Sequence, residues 1–133
     1  MSIKKPYQTY QNNAVNTASS GELTLMLYNG CIKFIKQAMK DMENGKIENK
    51  NTNIQKAQRI IQELMVTLDT NVEISQQIMP LYDYILHQLK EGNIHNDAAF
   101  LEEALHYVTE FRDTWKHVIK QTRQTRYVQG AQV

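Results

Sequence analysis

One cysteine, Cys31, stands in 133 residues, so no disulfide can form within the chain, and a lone thiol is compatible with a reducing compartment. Proline and glycine are scarce, at two and five, while Gln, Lys, Ala, Leu, Ile, Met and Asn are abundant. Turn punctuation is thin, and the balance is that of an all-helical protein. A charge surplus is also missing. Fifteen basic against fourteen acidic residues leave nothing global to draw the chain to nucleic acid or anionic lipid. The longest charge-free run, Leu23 to Ile32, is too short to span a bilayer. The opening Met1-Ser2-Ile3-Lys4-Lys5-Pro6 leads into polar sequence and is no secretory signal. The reading is a soluble cytoplasmic protein with no membrane insertion and no nucleic-acid partner.

Four amphipathic segments are present instead. The first starts at Ser19-Ser20-Gly21-Glu22, a capping box in which a hydroxyl and a carboxylate satisfy orphan N–H groups, and ends near Asn44-Gly45. Asn29-Gly30 inside it resembles a hairpin turn, but the apolar positions on both sides stay in helical phase. The second has the cleanest period, with Ile54, Ala57, Ile61, Leu64 and Leu68 in steps of three and four, and should end near Asn71. The third runs through Ile78, Leu81, Tyr82, Ile85 and Leu89 to a stop at Gly92-Asn93. Pro80 means that it either starts two or three residues earlier or kinks there. The fourth begins after Asn96 or Asp97 and continues through Leu101, Leu105, Val108, Phe111, Trp115 and Val118.

Short connections between long helices favour antiparallel neighbours. The expected fold is all-α: an antiparallel up-down four-helix bundle over residues 19–121, with helices at about 20–44, 48–71, 76–91 and 97–121. Residues 1–18 form a separate N-terminal arm or short capping helix, with Tyr7, Tyr10, Ala14 and Ala18 in helical spacing. That stripe is too short and polar to fold unless it docks. Residues 122–133 are polar and expected to fray.

A di-iron site needs two Glu-x-x-His motifs, and the chain has one, Glu103 to His106. Cys31 lies among apolar residues, where a thiol is inert without a paired base. No phosphate loop, zinc motif or nucleophile elbow is present. No catalytic, cofactor-binding or metal-ligating set is assigned, and no enzyme activity is expected. Lys116, Lys120, Arg123 and Arg126 make a basic strip, which a solvated helix end explains adequately through the helix dipole.

The first segment is over-supplied with apolar residues. Leu23, Leu27, Gly30, Phe34 and Ala38 make one stripe, and Leu25, Met26, Cys31, Ile32, Ile35 and Met39 carry it round much of the cylinder. A surface helix normally buries a stripe about 100° wide. Together with Ile60, Met65, Val66, Tyr82, Tyr84, Leu86 and Tyr107 these exceed what a four-helix core absorbs, so a partner-binding surface is expected.

At this point the sequence resembles the FliS family of flagellar secretion chaperones. The resemblance rests on Tyr7-x-x-Tyr10, Val15 to Ala18, and Gly21-Glu22-Leu23-x-Leu25-Met26-Leu27-Tyr28-Asn29-Gly30. Ala57-Gln58-x-Ile60-Ile61-x-Glu63-Leu64, Leu81-Tyr82-Asp83-Tyr84 and Phe111-Arg112-x-x-Trp115 extend it. It implies a cytoplasmic chaperone that binds the C-terminal segment of flagellin, prevents premature polymerisation and delivers it to the flagellar type III secretion apparatus. It further implies contact with the export gate protein FlhA and, in Bacillus-like bacteria, with the regulator FliW. The residues expected to form the flagellin groove and its arm are Tyr7, Tyr10, Leu23, Met26, Leu27, Gly30, Ile60, Leu64, Met65, Tyr82 and Tyr107. Two alternatives stay open. One is a helical adaptor that self-associates without flagellin cargo, with a weak homodimer as its form. The other is a metal-binding bundle using Glu103 and His106.

Overall fold

A computed structural model describes residues 20–69 and 71–131, with side chains described for 21–69 and 71–122. The expected arm, with Tyr7 and Tyr10, lies outside the described residues. Among those described, helix α1 spans Ser20–Glu43, α2 Ile47–Thr67, α3 Glu73–His95 and α4 Ala98–Ala131. Helix α1 packs on α2 and α4, and α3 packs on the same two, so the helices follow chain order round the bundle. Asn53 of α2 reaches Asp41 near the end of α1, Lys50 reaches Asn93 near the end of α3, and Trp115 of α4 meets Gly21 at the start of α1. Neighbours are therefore antiparallel, as the sequence led one to expect.

The core is one cluster in which Ile35, Ile54, Ile61, Leu64, Ile85, Leu89, Leu101 and Val108 are fully enclosed. Each such side chain contributes about 1.5–3 kcal/mol relative to leaving it in water. Cys31 is among them, its Sγ 3.8 Å from the Ala57 carbonyl, and burial pushes its thiol pKa up.

Two charged residues are buried with the core, and periodicity gave no sign of either. The Asp41 carboxylate accepts from Gln37 Nε2 at 3.0 Å and from Asn53 Nδ2 at 2.7 Å. Lys50, 4% exposed, donates from Nζ to the Asn93 carbonyl at 3.2 Å, while Asn93 Nδ2 donates to Asn51 Oδ1 at 2.7 Å. The carbonyl end of a helix attracts a cation, which helps Lys50 tolerate burial. These bonds tie α1, α2 and α3 together at one end of the bundle.

Both ends of the α1 and α3 connections are built alike. Gly45 takes φ +70°, with its N–H on Met42 O and the Lys46 N–H on Asp41 O. Asn96 takes φ 50°, with its N–H on Asn93 O and the Asp97 N–H on Gly92 O. This paired 5→2 and 6→1 bonding satisfies the last helical carbonyls. Asp97 Oδ1 then accepts the Ala99 N–H at 2.9 Å and opens α4.

Four expected boundaries need correction. Helix α2 stops at Thr67, because Leu68 turns extended and Asp69 Oδ1 accepts the Asn71 N–H. Helix α3 starts at Glu73, seven residues before Pro80, and absorbs the proline within its body. It also runs past Gly92 to His95, because Gly92 is a packing glycine and not a stop. A Cβ there would stand 2.9 Å from Leu101 Cδ2 and 3.2 Å from Phe100 Cβ, so only hydrogen lets α3 and α4 approach this closely. Finally, α4 does not fray at Thr122 but continues to Ala131. Its Lys, Gln and Arg residues are good helix formers, and no proline follows Pro80.

The two glycines should respond differently to substitution. Nothing lies within 4 Å of a Cβ at Gly45, so Gly45→Ala should cost about 1–2 kcal/mol through its left-handed backbone alone, and Gly45→Asn clearly less. Gly92→Val should cost about 1–3 kcal/mol by overpacking against Leu101, read in both cases by urea unfolding.

Candidate partner-binding surface

The end of the bundle where α1 begins is held by aromatic rings. Tyr28 of α1 and Tyr82 of α3 meet across the core with their hydroxyls 2.6 Å apart. Phe111 of α4 stacks on Tyr28, with centroids 5.9 Å apart, and tilts against Tyr82 at 5.3 Å. One turn on, the Trp115 indole N–H donates to the Gly21 carbonyl at 2.8 Å and closes α4 over the start of α1. Burial raises both tyrosine pKa values.

Around this closed end the surface is apolar. Val66 at the end of α2 is 84% exposed, and Val72, Ile74 and Leu81 at the start of α3 are exposed as well. Met65, Leu68 and Ile78 lie half-buried behind them. Ser75, Gln76, Met79 and Pro80 line a hollow of about 330 Å³ on α3. The Met79 side chain and the Pro80 ring supply its apolar wall. At the opposite end, α1 and α4 border a groove of about 730 Å³. Met39, Met42 and Leu105 form its floor, with Lys36, Lys40, Glu43 and Glu102 at its rim. Ile47 and Ile94, the latter 73% exposed, stand at the same end.

The residues expected to line the groove separate into two groups. Leu27, Ile60, Leu64 and Tyr82 are 2% exposed or less and belong to the core. As the chain stands here they offer no surface to a partner, which corrects the expectation for these four. Ile32, also counted as surplus, is buried too. The physical reason is that all five join the one core cluster, where the neighbouring helices cover them. Leu23, Met26 and Gly30 are half-buried along one flank of α1, and Met65 and Tyr107 are half-buried on α2 and α4. Tyr107 meets the exposed Tyr84 edge-on at 5.9 Å. Val72, Ile74, Ile47 and Ile94 were missed because they sit at helix ends, off the periodic stripes. Their signal is an apolar β-branched residue next to a connection, where no core position calls for it.

The polar side chains near Glu103 pair with one another. Glu103 accepts from the Tyr84 hydroxyl and, at 3.2 Å, from Gln88 Nε2, while His106 lies 3.1 Å from Glu110. The structure thus gives Glu103 and His106 separate partners. Among the described residues no three His, Cys, Asp or Glu side chains converge as a metal site, and no helix is long and apolar enough to cross a membrane.

Known proteins resemble this chain along most of its length. A family model described as "Flagellar protein FliS" matches residues 3–122. The flagellar secretion chaperone FliS of Bacillus subtilis (strain 168) is 52% identical over 130 residues, 98% of each chain. The protein of the same name from Escherichia coli (strain K12) is 31% identical over 107 residues, covering 78% of this chain and 79% of its own. A solved structure, "Crystal structure of flagellar chaperone from bacteria", superposes with a TM-score of 0.72 at 18% identity, over 86% of this chain and 95% of that one. At that identity the likeness concerns the fold alone.

The aromatic end generates a prediction. Tyr82→Phe leaves the Tyr28 hydroxyl buried without its partner and should cost about 1–3 kcal/mol, whereas Tyr28→Phe/Tyr82→Phe should cost less than the two single changes together. Raised folded pKa values favour the folded state only while the unfolded groups stay protonated. Stability should therefore hold up to about pH 9 and fall above it, as the unfolded thiol and phenols ionise near 9.0 and 10.0. The double Phe variant should fall less steeply in urea unfolding across that range.

Proposed function

Because the chain belongs to the FliS family of flagellar proteins, we propose that it binds the C-terminal segment of flagellin, keeps that subunit from polymerising early and hands it to the flagellar type III secretion apparatus. Membership makes it a flagellar secretion chaperone and not an enzyme. The cargo, its delivery and a cytoplasmic location are the finer reading. The observation that carries it is the exposed apolar set Val66, Val72, Ile74 and Leu81 on a bundle whose core is already closed.

A chain end that cannot bury enough apolar surface stays unfolded by itself. Laid on this bundle as amphipathic helices, it would cover those residues and the Met39, Met42 and Leu105 groove. Coupled folding of this kind buries on the order of 1,000–3,000 Å², and ordering takes about 2–5 kcal/mol from the gross interaction. Many modest contacts give specificity while leaving release attainable. Methionine floors suit such cargo, since a thioether side chain adapts its shape to what it meets.

Residues 1–18 act in this reading as a placeholder. Tyr7 and Tyr10 would occupy the α1 flank of Leu23 and Met26 until cargo displaces them. FlhA as the receiving partner and FliW as a regulator belong to the same proposal. The second reading, a self-associating adaptor, draws on the same exposed residues, which could equally pair two copies.

Sizing the chain with and without a flagellin C-terminal peptide separates the two readings. A one-to-one complex is expected, whereas self-association indifferent to the peptide would favour the adaptor. Removing residues 1–18 should raise peptide affinity or lower solubility. If neither changes, the placeholder role is wrong.

A further inference from the structure

The half-buried flank of Leu23, Met26 and Gly30 on α1 continues in steps of three and four into Lys33, Gln37 and Lys40. One row thus changes along its length from apolar to cationic, and the change falls at Gly30. Leu23 and Lys33 stand about 15 Å apart along the helix axis. In the cationic half, two lysines from different helices meet one ring. Lys33 Nζ of α1 lies 5.7 Å from the Phe34 centroid, and Lys56 Nζ of α2 lies 5.3 Å from it. A ring face attracts each ammonium but does not cancel the repulsion between the two.

No carboxylate of these two helices offsets the charge. Along α1 no acid stands between Glu22 and Asp41, and along α2 none stands between Glu48 and Glu63. Asp41 is buried, and its carboxylate is taken by Gln37 and Asn53. Among the described residues neither Lys33 nor Lys56 makes an ion pair. Lys36, Lys40 and Arg59 add three exposed cations to the same two helices. The leading segment does not supply the missing charge either, since residues 1–19 hold Lys4 and Lys5 and no acid.

We propose that Lys33 and Lys56 receive the free carboxyl terminus of the cargo. This assignment rests on the cargo reading, in which the bound segment is C-terminal and so carries an α-carboxylate whatever its sequence. Apolar residues of that segment would lie on Leu23 and Met26, and its end would reach the two ammonium groups about three helical turns further on. The flexible stem of lysine lets both heads turn from the ring to a carboxylate. The same charge separates cargo from placeholder. Residues 1–19 can cover the apolar half of the row, but only cargo brings the anion that the other half lacks. Nucleic acid fits less well, because Tyr28 and Phe34, the rings of α1 and α2, are both buried and offer a base no stacking face.

The test uses the full chain and one flagellin C-terminal peptide, labelled at its N-terminus and made in two forms, with a free carboxyl terminus and with a terminal amide. Anisotropy at about 50 mM salt should show the free acid binding about fivefold tighter or more, with the gap narrowing toward about 300 mM as charge is screened. Lys33→Gln/Lys56→Gln should weaken the free acid to the level of the amide and leave the amide unchanged, whereas Lys33→Arg/Lys56→Arg should keep the preference. Lys90→Gln on α3 should keep it too, and circular dichroism should show every variant folded. Equal affinity for acid and amide, or a preference that survives the glutamine changes, overturns the proposal and leaves the cargo reading standing. Tighter binding of single-stranded RNA, lost in the glutamine variant, would give the pair to phosphate and overturn it as well. Binding of neither peptide removes the cargo reading, and the proposal with it.

Discussion

Four amphipathic helices closing on one shared row of isoleucine and leucine set the terms for everything else in this molecule. Each cylinder gives the core a limited arc, so a fixed amount of apolar surface can be enclosed and the remainder stays outside. Ile35, Ile54, Ile61, Leu64, Ile85, Leu89, Leu101 and Val108 fill the interior. Val66, Val72, Ile74, Leu81, Ile47 and Ile94 do not fit there and remain at the surface. Isolated exposed apolar residues are ordinary, but sets gathered at the two ends of a bundle point to partners.

The interior is also pinned where it could slide. Asp41 and Lys50 hold three helices at one end through side-chain and carbonyl hydrogen bonds. At the other end, the Tyr28–Tyr82 hydroxyl pair, Phe111 and the Trp115 indole lock α1, α3 and α4. The proposed receipt and release of a chain end would benefit from a frame that keeps its shape. Contact surfaces then change occupancy without the bundle being remade.

Much of this was readable beforehand. Steps of three and four through Ile54, Ala57, Ile61 and Leu64 gave α2, and Asn44-Gly45 gave the end of α1. What escaped notice depends on neighbours that no local pattern reveals. Gly92 resembled a stop because glycine often ends helices, whereas its cause is Leu101 on the next helix. Pro80 resembled a start, yet the turn before it formed because tertiary packing outweighs one lost hydrogen bond. Ile60 and Tyr82 counted as surplus on a helical wheel, but a wheel does not show how far the opposite helix stands. For the contact surface, the half-buried flank of Leu23, Met26 and Gly30 was legible in α1, while Val72 and Ile74 fell in a stretch expected to be a connection, of which Ile74 is in fact the second residue of α3.

If the bundle shelters another protein's unfolded end as proposed, the decisive quantity is the apolar area covered on binding. Calorimetric titration of a flagellin C-terminal peptide into the chain at several temperatures measures it through the heat-capacity change. The account predicts saturable one-to-one binding with a large negative value. A heat-capacity change near zero, or no binding at all, would contradict it.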